Sequence, residues 1–271
     1  MPSTTSFTST SEPDRRPRTR LVVGQISYVN SQPFYPLLGE HRLIPTPPRE
    51  LGRMAEKGEI DAGILATVDF LACEDRYEPV ASLGIANREE VRSILLASRC
   101  PIEDLDGKTI GVTEETSTSV RLLRVLLELR FGLRPAGYVR GHRESADAFL
   151  VIGNEALAQN VRPSPGFPHR YDLASEWWAW KKLPFVFALW AVRRSLPEGV
   201  KQDFADLLER SFAIGVTRID EIAAGLAGGL GSPDALASYL RNFHYRLGPE
   251  EMAGLAEFRR LVREQGWLAP M

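Results

Sequence analysis

Thr116, Ser117, Thr118 and Ser119 put four hydroxyl side chains directly before a run of apolar residues at helical spacing. A helix start leaves backbone N–H groups unpaired and carries partial positive charge. Hydroxyls beside such N–H groups can seat a carboxylate or a phosphate. A single N-cap would account for one of the four equally well. Two further places carry small polar residues. Ser27 to Asn30 follow the apolar run Leu21 to Ile26, and Gly153-Asn154 follow Ala148 to Ile152. Alone, each reads as a turn or cap. Together they share one topological position, the carboxyl end of an expected strand, where α/β sheets bind ligands.

Other chemistries lack their residues. His41, His142, His169 and His244 show no HExxH or HxH spacing, and Cys73 and Cys100 form no CxxC pair. No metal site and no cofactor are expected, and the two cysteines are expected as free thiols. No Gly-rich phosphate loop accompanies the hydroxyl cluster, which favours a carboxylate as its ligand. The 271 residues carry 33 Lys+Arg against 35 Asp+Glu, a net charge of −2 without a long basic block, so nucleic acid is not an expected partner. No apolar run suits a membrane span. Residues 1–20 are polar and lack the apolar centre of a secretory signal, so they read as a disordered leader of a cytoplasmic protein.

The positioning elements alternate. Strands are expected at Leu21–Ile26, Ile60–Leu65, Val80–Leu83, Val91–Ser98, Lys108–Val112, Tyr138–Arg140, Ala148–Ile152 and Phe185–Val192, with an edge strand at Ile44–Pro48. Gly84–Glu90 reads as a loop. Helices are expected from Phe34, over Arg49–Lys57 and Thr67–Ala72, from the hydroxyl cluster to Gly132, near Glu144–Ala148, and over Ala156–Asn160. From Pro197 the pattern is helical, with starts at Ser232-Pro233 and Gly248-Pro249. This predicts an α/β fold of two lobes around a central cleft, with a helical C-terminal tail packed on the first lobe. Residues 21–99 and 185–271 would form lobe 1 and residues 100–184 lobe 2.

Five segments resemble a known family: ISYVNSQPFYPLL (Ile26–Leu38), GEIDAGILATVDFL (Gly58–Leu71), DLDGKTIGVTEETSTSVRLLRVLL (Asp104–Leu127), VIGNEAL (Val151–Leu157) and YDLASEWWAWKKLPFVFALWAVRR (Tyr171–Arg194). The family is the chorismate dehydratases of the futalosine route to menaquinone, which share the fold of type II periplasmic binding proteins. The resemblance spans most of Leu21–Arg194 and covers the tail only in character. It implies loss of water from a cyclohexadiene bearing a carboxylate and an enolpyruvyl ether, giving 3-[(1-carboxyvinyl)oxy]benzoate. The fold alone also serves solute-binding proteins of transporters, and a second enzyme of the pathway makes 1,4-dihydroxy-6-naphthoate.

The resemblance implies roles for particular residues. Asn30 and Ser93 would face the reacting ring from opposite walls. Ser27, Thr116 to Ser119 and Asn154 would bind substrate, the hydroxyl cluster holding a carboxylate. Asn154 stands where the family usually has Asp, and Gln32 where it usually has an apolar residue. No His or Glu in the matched motifs is an obvious general base, so a substrate carboxylate or an unidentified Asp or Glu would fill that role. Trp177, Trp178, Trp180 and Trp190 read as core or interface packing.

Overall fold

A computed structural model describes residues 19–141 and 144–268. The expected leader, residues 1–20, lies almost wholly outside the described residues, as does His142. Two sheets organise the chain. The first has six strands in the order β11-β4-β10-β3-β1-β2, formed by β1 (Val22–Gln25), β2 (Arg42–Pro45), β3 (Ala62–Ala66), β4 (Tyr77–Asn87), β10 (Phe185–Arg193) and β11 (His244–Arg246). The second has five in the order β7-β6-β8-β5-β9, from β5 (Ile94–Ser98), β6 (Thr109–Val112), β7 (Gly137–Arg140), β8 (Ala148–Ile152) and β9 (His169–Asp172). The proline-containing β2 lies at an edge, where a missing N–H costs no ladder bond.

The first sheet is parallel through β2-β1-β3 and antiparallel where the chain returns as β10 between β3 and β4. All of β10 but its last residue is buried, which is why FVFALWAV is continuously apolar. Helix α1 (Pro48–Lys57) joins β2 to β3, and α2 (Thr67–Ala72) leads from β3 to β4. In the second sheet, α3 (Thr118–Val125) runs into a π turn over Leu126–Arg130. Helix α4 (Gly153–Val161) follows β8, and α5 (Leu173–Lys181) follows β9.

Five local readings change. The chain crosses between sheets before β5, because Ile94–Ser98 pairs with β8 and β9, so this strand belongs with the second lobe. Strand β4 runs through the expected loop to Asn87; Ala81 and Ser82 at positive φ break the alternation that would reveal it. Residues 144–147 form a turn and bend instead of a helix. The helix expected from Phe34 does not form; two 3-10 turns, Val29–Phe34 and Leu38–Glu40, flank a turn there. Strand β9 and helix α5 emerge from a stretch that the aromatic run had left without periodicity, with Asp172 capping α5 through the N–H groups of Ala174 and Ser175.

The tail comprises α6 (Glu198–Thr217), α7 (Ile219–Leu226), α8 (Pro233–Arg241) and α9 (Pro249–Glu264). Ser211 of α6 donates to the Phe34 carbonyl at 2.7 Å and accepts from Leu37 N at 2.9 Å, fixing the turn after β1. Beyond the first sheet, the tail reaches α3: Arg121 Nε donates to the Trp267 carbonyl at 2.6 Å. Trp177 and Trp190 are fully buried, each in a cluster of aromatic rings. Cys73 and Cys100 are free. Among the described residues, no helix is long and apolar enough to cross a membrane.

Candidate active site

The carboxyl ends of β1, β6 and β8 meet at a cleft between the two sheets. Asn30 and Tyr28 line it from the turn after β1, Ser93 from the crossover before β5, Thr116 to Ser119 from the start of α3, and Gly153 from the start of α4. Ile26, Ile85, Ile152 and Phe187 supply apolar walls. Among the described residues, no charged side chain lines this space.

The four hydroxyls divide their work. Ser117 is the N-cap residue of α3 by position, but its side chain makes no capping bond. Its Oγ donates instead to Asp69 Oδ2 at 2.7 Å, on α2. Thr118 Oγ1 accepts from Val68 N at 3.0 Å. Thr116 Oγ1 is buried with no partner among the described residues, and Ser119 lines the cleft beside it. The simple N-cap reading therefore fails here. The first N–H groups of α3 are not satisfied by a side chain, and an unpaired hydroxyl sits next to them, a combination that suits an anion.

Asn30 faces this seat. Its Oδ1 is buried and unpartnered among the described residues, a costly arrangement unless a ligand completes it. Ser93 is held from several sides. Its carbonyl accepts from Gly153 N at 2.8 Å, and its side chain meets the Tyr239 hydroxyl from α8. The preceding Arg92 has φ +59°, a left-handed backbone that a non-glycine residue adopts at a cost. Asp172 Oδ2 secures it by accepting from Val91 N at 3.0 Å and Arg92 N at 2.7 Å. Burial pushes the Asp172 carboxyl up to about 6 despite these bonds.

The remaining sequence-derived residues lie nearby. Ser27 is exposed and outside the cleft lining. Asn154 also lies outside the lining, but its Oδ1 accepts from Val29 N at 3.2 Å, tying the start of α4 to the turn that carries Asn30. An Asp here could accept the same bond, so the Asn preserves the tie without the charge. Gly153 has φ +60°, and a Cβ there would stand 2.7 Å from the Tyr28 ring.

Sequence reading missed the partners that arrive from the opposite sheet. Tyr28 donates to Glu115, and burial drives its phenol far above the ordinary range. Asp69 is pushed up to about 7, first by desolvation, with the Ser117 bond pulling the other way. Tyr28 and Asp69 each sit inside a segment singled out above, SYVN and ATVDFL, but nothing local marks a contact some 50 to 90 positions away.

Residues 21–264 match the family described as menaquinone biosynthesis. The chain belongs to that family. It is 29% identical over 258 residues to a chorismate dehydratase of Thermus thermophilus, covering 88% of this chain and 93% of that one. Among solved structures it resembles protein AF1704 of Archaeoglobus fulgidus, with TM-score 0.73 at 18% identity, covering 91% of this chain and 98% of that one. It also resembles the CA3427 gene product of Candida albicans, described as having the generic periplasmic binding protein fold (TM-score 0.64, 12% identity, 93% and 92% coverage). The alkanesulfonate-binding protein SsuA of Xanthomonas axonopodis pv. citri, bound to MOPS, gives TM-score 0.62 at 15% identity, with 96% of both chains covered. The fold is thus the two-lobe periplasmic-binding-protein fold, and the cleft lies between its lobes.

Proposed function

We propose that this protein is a chorismate dehydratase, a carbon–oxygen lyase that removes water from chorismate to give 3-[(1-carboxyvinyl)oxy]benzoate for menaquinone synthesis in the cytoplasm. The observation that carries the reading is the uncapped, hydroxyl-lined start of α3 sharing a cleft with the unpartnered Asn30 Oδ1. The family and the Thermus relative support the same reading.

The chemistry follows from the substrate. The carbon bearing the enolpyruvyl ether is conjugated through a ring double bond to the ring carboxylate. Removing its proton moves charge onto that carboxylate, where the α3 N–H groups and the Thr116 and Ser119 hydroxyls stabilise it. The electron pair then expels hydroxide from the adjacent carbon and the ring becomes aromatic. The proton and the hydroxide together are the water lost, so no oxidant or reductant enters. Asn30 orients the leaving hydroxyl through its free Oδ1, and Ser93 donates a hydrogen bond from the other wall. Among the described residues no charged side chain lines the cleft, and the base in this reading is a carboxylate of the substrate itself. Asn154 supports the turn carrying Asn30.

The test is incubation of the purified protein with chorismate, with mass spectrometry of the products. A benzoate lighter than chorismate by one water supports the reading. Saturable binding with chorismate recovered intact would instead identify a solute-binding protein.

A further inference from the structure

Chorismate carries two negative charges, and among the described residues no cation lines the cleft; positive groups stand instead behind one of its walls. A second cavity shares Thr116 and Ser117 with the cleft and lies on the other side of that loop. Arg49, Arg53, Arg121 and Arg140 line it, with Asp69 and Glu56 as its acidic groups. Glu114 approaches Arg49 at the rim, 3.8 Å away. Arg140, at the end of β7, donates to the carbonyls of Thr113 at 3.1 Å, Glu114 at 3.3 Å and Thr116 at 3.4 Å. In a trans peptide the C=O and the following N–H point in opposite directions. A guanidinium that gathers these carbonyls therefore turns the N–H of Glu114, Glu115 and Ser117 away from itself; of these residues Ser117, immediately before α3, lines the cleft. The planar fork of Arg suits this task, and a single ammonium does not.

We infer that Arg140, backed by Arg49 and Arg53, is the positioning residue of the carboxylate seat: it orients the loop's N–H groups and supplies, through one layer of peptide, the positive field that selects a dicarboxylate. The inference deepens the proposed function and rests on it for the identity of the substrate. Arg140 itself touches no reacting atom. The cluster is crowded, and desolvation with the neighbouring Arg49 and Arg53 charges lowers the Arg140 guanidinium, consistent with a surplus of positive charge at this place.

The experiment compares wild type, Arg140→Lys and Arg140→Gln in two assays. With chorismate, Arg140→Gln should raise KM roughly thirtyfold, the size of a partly screened charge–charge interaction, and lower kcat less than threefold. The fall of kcat/KM with added salt should flatten, and Arg140→Lys should recover only part of the loss. A merely structural arginine would not change the salt dependence. The second assay needs no turnover: calorimetric titration with isophthalate and with benzoate. Wild type should prefer the dicarboxylate, and Arg140→Gln should lose that preference. Unchanged KM and salt dependence in an active Arg140→Gln overturns the inference and leaves the dehydratase reading intact. Wild type that leaves chorismate untouched but binds isophthalate in an Arg140-dependent way overturns the reading and supports the seat. Equal isophthalate binding by wild type and variant overturns the seat.

Discussion

Replacing Asp69 by Asn should make the protein relatively more stable as the pH rises. The carboxyl faces a cavity from α2, accepts from Ser117, and has its pKa lifted by desolvation from 3.8 to about 7. A carboxyl whose folded pKa is raised contributes stability that is fully present below its unfolded pKa, near pH 4. That contribution is lost as the pH rises through 7. A displacement of this size corresponds to roughly 4 kcal/mol between pH 4 and pH 8. The carboxyl's partial opening to the cavity reduces the expected value to about 2 kcal/mol. Asn keeps an oxygen to accept from Ser117 but never ionises. The assay is urea unfolding of both proteins at pH 5, 6, 7 and 8. Asp172, with its carboxyl raised to about 6, drifts in the same direction in both and cancels in the difference. The Asp69→Asn variant should gain roughly 1 kcal/mol relative to wild type from pH 5 to pH 8, since part of the change falls below pH 5. A difference that stays flat, or grows in favour of wild type, refutes the argument that Asp69 is held protonated by burial.

Three shorter expectations concern the turn that carries Asn30. Asn154→Ala removes the acceptor of Val29 N and should cost about 1 kcal/mol in urea unfolding and several-fold in turnover, whereas Asn154→Asp stays near wild type on both measures. Gly153→Ala combines a left-handed backbone with a contact on the Tyr28 ring, and calorimetry should show a loss of about 1–3 kcal/mol with impaired turnover. Asn30→Ala should leave the unfolding midpoint within a few degrees of wild type while lowering turnover of chorismate at least tenfold, measured as initial rates.

Much of the frame could be read from local pattern. Strands β1, β3, β6 and β8 are short β-branched or apolar runs that end in small polar residues, and the cleft lies at three of those ends. The buried β10 announced itself by eight apolar residues in succession. Strand β4 did not, because its Ala81-Ser82 bulge breaks the period on which strand reading depends. The lobe boundary was displaced for a related reason: β5 is apolar on both faces, so its sequence fits either sheet, and only its pairing with β8 and β9 decides. At the site, Asn30, Thr116 and Ser119 were legible because they follow strands. Ser93 came only through family resemblance. The side chains that hold these residues, namely Tyr28, Asp69, Arg140, Asp172 and Tyr239, act across 20 to 150 positions of chain, and single-sequence periodicity carries no information at that range.

The central claim is that this cleft converts chorismate rather than merely holding it. The most direct measurement is a proton NMR time course of chorismate with catalytic amounts of the pure protein. The account predicts that the ring-diene signals decay, that four aromatic proton signals replace them, that the enolpyruvyl methylene pair persists, and that many turnovers occur per protein molecule. Diene signals that decay no faster than in protein-free buffer, under conditions where binding is saturated, would contradict it.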